Sequence, residues 1–393
     1  MSSAGTVTPA PSRQVGESSD TFARSDRPRV IVVGPSPPPF NGMSVATQLI
    51  LGNLQQNLEI FHLDTADRRG LQNVGKLEFT NIVLALLHGG KFLISLATFR
   101  PDLVYVPISQ SRLPFLRDCL FLIPAKLLGR RTVVHLHGSD FRSFYESQPG
   151  WLRALVRFAI GGNGRAIVLG DRLIGMFQEI LPASSISVVP NGIPDLFEGV
   201  VTRKAGKPTV LFLSTLMKEK GVLDLVQAVP SVAERFPDCQ FTFAGEWLRE
   251  EEKQEAERFL RQHQLQGQVE FCGPVGPAAK KELLERASIF VLPSYHEGQP
   301  FAILEALCAS LPVVATDVGC VTDLVRDKQN GFIVDCGSPA SLADRIAKLL
   351  SDARLRERMG AESRAVFLAQ HTEKAFVKDL SAALHRAASP DSI

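Results

Sequence analysis

Two glutamates stand eight positions apart, at Glu297 and Glu305, in the segment HEGQPFAILEAL. The apolar runs on either side, Ile289 to Leu292 and Val313 to Ala315, have the composition of buried strands, which places a helix between them. Pro300 suits the first helical position, because its missing N–H group would have no partner there. We therefore predict that the first glutamate lies in the loop before the helix and the other on its second turn.

The backbone at the start of this helix can bind an anion. Its N–H groups without an intrahelical partner belong to Gly298, Gln299, Phe301 and Ala302. The helix dipole adds positive potential at the same point, so a strand, a glycine-containing loop and a helix predict a phosphate site. The loop carboxylate would meet hydroxyl groups beside the phosphate, and the helical carboxylate would hold a second polyol such as a ribose.

Two histidines end another predicted strand, in the segment VHLHGSDF. Functional groups of open α/β sheets gather at the carboxyl ends of the strands. Alternation sends His135 and His137 to the same face, but only His137 reaches the strand end. We therefore predict that His137 faces a ligand and that His135 packs in the core.

Gly42 and Lys220 each stand where a helix begins after a predicted strand. Gly42 would let the backbone approach a ligand closely at the helix near Met43. Lys220 precedes Gly221, and its ammonium group there could neutralise a diphosphate. Taken alone, the two residues would be interpreted as a plain turn glycine and a solvated surface lysine.

Alternating strands and helices must position these residues. The predicted strands are Val30–Val33, Ile60–Leu63, Leu103–Val106, Thr132–Leu136, Ala166–Leu169 and Ser187–Val189 in the first half, and Thr209–Leu213, Phe241–Ala244, Val269–Cys272, Ile289–Leu292, Val313–Ala315 and Phe332–Val334 in the second. Such alternation predicts a parallel sheet covered on both faces in each half. The fold class is therefore α/β, with two doubly wound units that face one another across a cleft.

The motifs described above occur in the same order as in a large family of proteins. The chain thereby resembles the retaining glycosyltransferases of the GT-B fold that bear the E-x7-E motif, the glycosyltransferase family four type. The resemblance covers about residues 29 to 387 and rests on Gly42, HGSD, PNG, EKG and E-x7-E. It implies two facing Rossmann-like domains and transfer of a sugar from a nucleotide-diphosphate sugar to an acceptor hydroxyl. The turn at Asn191, in PNG, is given a structural role beside the cleft.

The resemblance also implies a role for each motif residue. Glu305 would hold the ribose, and Glu297 with the amides after it would hold the donor sugar. Lys220 would hold the diphosphate, and His137 would contact the sugar near the reacting carbon. We thus expect His137 and Glu297 to be catalytic, with no metal and no cofactor besides the donor substrate, since a lysine and helix dipoles supply positive charge.

Two positions depart from the family pattern. Thr215 stands where the family usually carries an arginine, which removes one fixed cation from the donor phosphates. Asn41 replaces the first of two adjacent glycines before the helix at Gly42. Because of the first departure, one alternative function is that of a non-catalytic partner subunit that has lost its affinity for the donor. A nucleotide-sugar epimerase is the other alternative, because the same fold hosts that chemistry.

The chain length of 393 residues is too great for one ordinary core. We expect a disordered tail without a signal peptide at residues 1–28 and an acceptor-side domain at 29–200. A donor-binding domain is expected at 207–368, and a C-terminal helix at 369–393 that returns to the first domain.

Composition limits the cellular role. A hydrophobic content of 45% with 21% charged residues is typical of a globular protein, and a net charge of +2 gives no support for a nucleic-acid partner. Six cysteines without a CxxC pair indicate reduced thiols of a cytoplasmic protein. We expect no membrane span, because no apolar run reaches about 20 residues.

A basic, apolar segment nevertheless predicts contact with a membrane surface. Between Lys91 and Ile160 there are ten Lys or Arg and four Asp or Glu, interleaved with large apolar residues. Such helices can lie on the inner face of an anionic membrane, where a lipid-linked acceptor of polysaccharide assembly would be found. Ordinary core-facing helices with solvated charges explain the same pattern equally well.

Overall fold

The computed structural model describes residues 27–38, 42–68, 78–199, 201 and 206–389. The predicted tail lies outside these residues except for its last two positions, and so does Asn41. The connector between the predicted domains is described only at residues 201, 206 and 207.

The first sheet contains six parallel strands in the order β2-β1-β3-β4-β5-β6. They are β1 (Arg29–Gly34), β2 (Glu59–Asp64), β3 (Leu103–Pro107), β4 (Arg131–His135), β5 (Arg165–Val168) and β6 (Ile186–Val188). The helices between them are α1 (Gly42–Asn53), α2 (Phe79–Phe99), α3 (Arg112–Leu127), α4 (Phe141–Glu146) and α5 (Gly150–Ile160), followed by a 3-10 helix at Asp171–Phe177.

The second sheet is also parallel and has the order β12-β11-β10-β7-β8-β9. Its strands are β7 (Thr209–Leu213), β8 (Gln240–Ala244), β9 (Val269–Gly273), β10 (Ile289–Leu292), β11 (Val313–Thr316) and β12 (Gly331–Val334). Its helices are α6 (Val222–Arg235), α7 (Glu250–Gln262), α8 (Pro277–Arg286), α9 (Phe301–Cys308), α10 (Val321–Leu324), α11 (Pro339–Ser351) and α12 (Ala353–Gln370), and α13 (Glu373–Ala388) follows.

This architecture confirms the predicted fold class of two Rossmann-like α/β domains. All twelve predicted strands are present, and none differs from the prediction by more than one residue at either end. Their near-continuous apolar composition is that of strands buried on both faces by helices. Helix α13 packs on the first domain, where Phe376, Leu380 and Leu384 share a buried cluster with Val30 and Tyr105.

Two local predictions are wrong. Pro300 precedes α9 in an extended conformation, with ψ of 126°, and does not occupy the first helical position. Its carbonyl accepts a hydrogen bond from the amide of Ile303 at 3.1 Å, so it acts as the N-cap residue. The expectation that no apolar segment matches a membrane span is also wrong, because α2 has 21 residues and a mean hydropathy of 1.8 in its most apolar window. Scattered polar side chains interrupt the apolar run of α2, but they are too few to lower its mean hydropathy below that of a membrane-spanning helix.

Candidate active site

A cavity of about 840 Å³ lies between the two sheets. All nine residues that the sequence assigns to the site line it: Gly42, His137, Thr215, Lys220, Glu297, Gly298, Gln299, Phe301 and Glu305. The sequence therefore predicted which residues meet, although the contacts between them required the structure.

Strand order explains why these residues converge. In the second sheet, the connections that leave the adjacent strands β7 and β10 lead in opposite directions along the sheet. In the first sheet, the same is true of the adjacent strands β1 and β3. Ligands of open α/β sheets bind at such switch points, outside the carboxyl ends of the strands. Thr215 and Lys220 follow β7, Glu297 follows β10, and Gly42 follows β1. The two switch points thus open into one cavity.

Glu297 lies in the loop after β10 and accepts two hydrogen bonds on one oxygen. The hydroxyl of Ser294 and the ammonium group of Lys220 each donate to its Oε1 at 2.7 Å. Its Oε2 accepts no hydrogen bond from any described residue. The carboxylate is thus held in place while one oxygen remains available at the cavity wall.

Glu305 pairs with a lysine that the sequence analysis missed. The ammonium group of Lys280, on α8, donates a hydrogen bond to Oε1 of Glu305, on α9. Burial raises the pKa of this carboxyl group, and Lys280 acts in the opposite direction. Both residues line the cavity, and 25 positions separate them in the sequence, so only the packing of the two helices identifies the pair.

His137 lies two residues after the end of β4 and has a neutral ring. Burial lowers its pKa to about 4. Its Nε2 is buried and makes no hydrogen bond with a described residue, although the side chain lines the cavity. The ring packs on that of His135 at a centroid distance of 4.0 Å. This imidazole therefore keeps a nitrogen for a ligand.

His135 is fully buried, as predicted for a core residue. Its Nδ1 lies 2.7 Å from the hydroxyl oxygen of Tyr105, which is also fully buried. Burial lowers the pKa of His135 well below its ordinary value. The Tyr105–His135 pair thus forms a rigid support behind the ring of His137.

The turn before α9 joins the two domains closely. A Cβ atom on Gly298 would lie 2.0 Å from the carbonyl oxygen of His137, so glycine is the residue that permits this approach. A Cβ atom on Gly42 would meet the ring of Phe301 at 3.5 Å. The amides of Gly298 and Phe301 donate no hydrogen bond to a described residue and lie at the wall of the cavity.

Gln299 connects the domains by its side chain. Its Oε1 accepts a hydrogen bond from the amide of Asn191 at 2.5 Å, and Nδ2 of Asn191 donates to its carbonyl oxygen at 2.9 Å. The predicted structural position of Asn191 beside the cleft is thus observed. The Gln299 side chain is occupied by this junction, which leaves its Nε2 as the group without a described partner.

Further polar contacts hold the two domains together outside the cavity. Nδ1 of His296 lies 3.1 Å from Oδ2 of Asp140. Arg172 donates a hydrogen bond to Asp317 at 2.5 Å and another to Thr322 at 2.6 Å. The His296–Asp140 contact bridges the loop before Glu297 and the segment after β4, whereas Arg172 joins the 3-10 helix after β5 to the segment after β11.

Several known proteins are similar to this chain in sequence. Residues 197–366 match the family described as glycosyl transferases group 1. An α-D-kanosaminyltransferase from Streptomyces kanamyceticus is 30% identical over 281 residues, which cover 67% of this chain and 72% of that protein. A GDP-mannose:cellobiosyl-diphosphopolyprenol α-mannosyltransferase from Xanthomonas campestris is 25% identical over 232 residues, or 58% of this chain and 60% of that protein.

Other relatives match over a smaller part of their length. The chain spans 54% of a 2-deoxystreptamine N-acetyl-D-glucosaminyltransferase from Niallia circulans and 50% of a phosphatidyl-myo-inositol mannosyltransferase from Mycobacterium leprae. Among solved structures, Anabaena Alr3699/HepE in complex with UDP-glucose superposes with a TM-score of 0.67 at 17% identity, over 91% of this chain and all of that one. This likeness shows a shared fold.

Proposed function

This chain belongs to the group 1 glycosyltransferases, and we propose that it is a retaining enzyme that moves a sugar from a nucleoside-diphosphate sugar to an acceptor hydroxyl. The observation that carries this proposal is the convergence of both switch points on one cavity, which holds Lys220, Glu297, Glu305 and His137. A wall with cations, carboxylates and unpaired amides suits a ligand that has a phosphate group and several hydroxyl groups.

The donor lies across the second domain in this proposal. Glu305, steadied by Lys280, accepts hydrogen bonds from the ribose hydroxyls. The diphosphate lies against the amides before α9 and the ammonium group of Lys220. The free oxygen of Glu297 receives a hydroxyl of the sugar. The domains assigned to residues 29–200 and 207–368 are therefore the acceptor and donor sides.

The transfer itself exchanges one C–O bond for another. The acceptor oxygen bonds to the anomeric carbon as the bond from that carbon to the β-phosphate oxygen breaks. The acceptor proton passes to an oxygen of the leaving phosphate, so no protein base is needed. His137 acts beside the anomeric carbon, where its neutral ring can contact a sugar hydroxyl as positive charge develops.

Lys220 must change partners for the donor to bind. Its ammonium group lies 2.7 Å from Glu297 in the described structure. A diphosphate that enters between the loop and α9 competes for this ammonium, because it carries more negative charge than a single carboxylate. Donor binding thereby releases Glu297 to the sugar, which couples phosphate recognition to sugar recognition.

A lipid-linked acceptor is the form of acceptor that we favour. Support comes from the Xanthomonas relative, whose name specifies a diphosphopolyprenol acceptor. A cytoplasmic enzyme at the inner face of a membrane would meet such an acceptor, and the product would enter polysaccharide assembly.

The test is a thermal-shift screen of nucleoside diphosphates and nucleotide sugars on the full chain, followed by product analysis. A donor at about 100 times its dissociation constant should stabilise the fold by about 2.7 kcal/mol. Proton NMR of the product should show the anomeric configuration of the donor. An inverted product would exclude the retaining mechanism, and epimerised sugar formed from donor alone would favour an epimerase. The absence of any nucleotide-induced shift would favour a non-catalytic subunit.

A further inference from the structure

Helix α2 exposes a broad apolar face. Its large apolar side chains with substantial exposure are Phe79, Ile82, Val83, Leu86, Leu87, Leu93 and Ile94. Phe79 is 81% exposed, and Leu86 and Ile94 are 63% and 65% exposed. A helix on the surface of a water-soluble domain normally presents polar residues on this side. The outer face of α2 is therefore suited to an apolar environment.

The inner side of α2 holds the helix on its domain. Phe92, Ser95 and Leu96 are buried, and the ring of Phe92 packs edge-on against Phe121 of α3 at a centroid distance of 5.3 Å. A helix attached in this way cannot cross a bilayer without leaving its domain. Its length of 21 residues and its exposed apolar face fit a helix that lies in the membrane plane.

The apolar face continues on the neighbouring helices. Helix α3 packs between α2 and α5, and the three form one layer. The exposed apolar residues of α3, α5 and the α3 C-cap are Leu113, Leu127, Leu128, Trp151 and Phe158. We refer to the exposed apolar residues of these three helices and this cap as the α2–α5 face. It faces away from α13, which packs on the other side of the first sheet.

Cations accompany this face, while the acidic residues of the same segment have partners. The Arg112 guanidinium lies 5.6 Å from the centroid of Trp151, and the Lys126 ammonium 5.1 Å from that of Phe158. The partners of the acidic residues are Arg117 for Asp118, His296 for Asp140, Arg142 for Glu146 and the Arg29 amide for Asp102. Pairing neutralises Arg117 and Arg142 as well, but ten Lys or Arg outnumber four Asp or Glu between residues 91 and 160, so the net charge of the segment is positive.

The position of α2 relates this face to the cleft. Strand β2 ends at Asp64, level with Gly34 at the end of β1, from which the chain leads to the cleft residue Gly42. A helix between parallel strands runs antiparallel to them, so α2 begins at the same edge of the sheet. The exposed start of α2 at Phe79 thus lies on the side of the domain where the cleft opens.

We propose that the α2–α5 face docks this enzyme on an anionic phospholipid bilayer, with α2 in the plane of the membrane and the cleft turned towards lipid-linked acceptors. The docking is inferred from the α2–α5 face alone, whereas the capture of a lipid-linked acceptor rests on the proposed function. A bilayer suits the observed charge, because anionic headgroups complement the cations around the apolar residues. A second copy of the chain fits less well, since a two-fold contact would bring like charges together.

Leu93 and Leu368 provide a matched test of this proposal. Both leucines are 51% exposed, but Leu93 lies on α2 and Leu368 lies on α12 of the second domain. The full chain should co-sediment with vesicles of phosphatidylcholine and phosphatidylglycerol at low salt, and less so at high salt. Leu93→Glu and Leu87→Glu should each reduce vesicle binding by at least about tenfold, whereas Leu368→Glu should bind like wild type.

Charge reversal tests the electrostatic part. Lys91→Glu combined with Arg153→Glu removes two exposed cations of the segment, and we expect weaker binding together with a shallower salt dependence. Binding to pure phosphatidylcholine should be weak for every form of the protein. Equal binding to both vesicle types by wild type would overturn the anionic assignment.

The proposal is overturned if the wild-type chain ignores anionic vesicles or if both leucine variants bind normally. It is also overturned if wild type is a dimer without vesicle affinity and Leu87→Glu makes it monomeric, because the face would then contact a second copy. Each variant must keep the wild-type melting temperature. Nucleoside-diphosphate binding, measured separately, reports on the proposed function, so vesicle binding without nucleotide binding would leave docking intact and reject only the enzyme assignment.

Discussion

The carboxyl edges of the two sheets face the same cavity but differ in charge. The described lining residues of the first domain carry no formal charge, because His137 is neutral and the others are apolar or amide residues. Those of the second domain include two lysines and three glutamates, Lys220, Lys280, Glu246, Glu297 and Glu305. We propose that this difference reflects a division of work, with donor recognition by the charged wall and action on the reacting sugar from the neutral wall.

The ion pairs explain how charges are tolerated on the second wall. Glu297 and Glu305 are each paired with a lysine from another element, and each pair leaves some hydrogen-bonding capacity towards the cavity. A buried charge without such a partner would be costly. The first wall instead carries an imidazole that burial keeps neutral.

The largest effect is expected from His137→Ala. Turnover should fall by about 10² to 10³-fold, because a preorganised group beside the reacting carbon acts only as charge develops. The matched control is His263→Ala, which alters an exposed histidine at the C-cap of α7. Steady-state kinetics at saturating donor measures the effect. Full turnover in the His137 variant would remove the first wall from the chemistry.

The neutral state of His137 should also appear in the pH dependence of stability. Its pKa is about 4 in the folded protein and about 6.5 when unfolded, so the unfolded chain binds the extra proton between these values. Stability should therefore fall as pH drops from 6.5 to 4, by at most about 3 kcal/mol for this residue. Urea unfolding of wild type and His137→Ala across this range isolates its share.

Other histidines act in the same direction, which sets the control for that experiment. Burial also lowers the pKa of His135 and His371, so wild type and the variant should both lose stability in acid. The variant should lose less. Identical slopes for the two proteins would mean that His137 is not kept neutral by burial.

Glu305→Ala should weaken nucleoside-diphosphate binding by about 10- to 100-fold. A hydrogen bond between a carboxylate and a ribose hydroxyl contributes about 1.5–3 kcal/mol, and the variant also leaves Lys280 without its partner. Glu305→Ala combined with Lys280→Met separates these two causes, because it removes the isolated charge. Isothermal titration of wild type, Glu305→Ala, Lys280→Met and the double variant gives the coupling between the two residues, and unchanged affinity in Glu305→Ala and in the double variant would exclude Glu305 from the nucleotide site.

The smallest effect is expected from Thr215→Arg. The charged wall holds two lysines against three glutamates, so an added cation beside the diphosphate should tighten binding by about three- to tenfold. Ser214→Arg, which places the same charge at the adjacent lining position, is the control for a general change in potential. Equal gains from both variants would show that the phosphates do not lie beside residue 215.

Much of this account was accessible from sequence because short apolar runs and glycine turns are local signals. The strand ends placed His137 at the carboxyl edge of the first sheet and Lys220 and Glu297 at that of the second, without any knowledge of packing. The pairing of Lys280 with Glu305 was not accessible, since it depends on how α8 approaches α9. Similarly, nothing local indicates that the Gln299 side chain bonds to Asn191 across the domain junction.

Helix α2 illustrates a different limit. Its polar residues Asn81, His88 and Lys91 hide an apolar helix from a search for an uninterrupted run. The exposed face became visible only when packing showed which side of the helix its domain covers. The predicted position of Pro300 was wrong by one residue. A proline suits both the N-cap and the first helical turn, and the local sequence does not distinguish the two positions.

The division between the two walls is tested most directly by titrating one nucleoside diphosphate into wild type, His137→Ala and Glu305→Ala under the same conditions. The account predicts a dissociation constant for His137→Ala within about twofold of wild type and one for Glu305→Ala that is at least about tenfold weaker. Comparable losses of affinity in the two variants, or a larger loss for His137→Ala, would contradict the claim that the charged wall binds the donor while the neutral wall acts on the reaction.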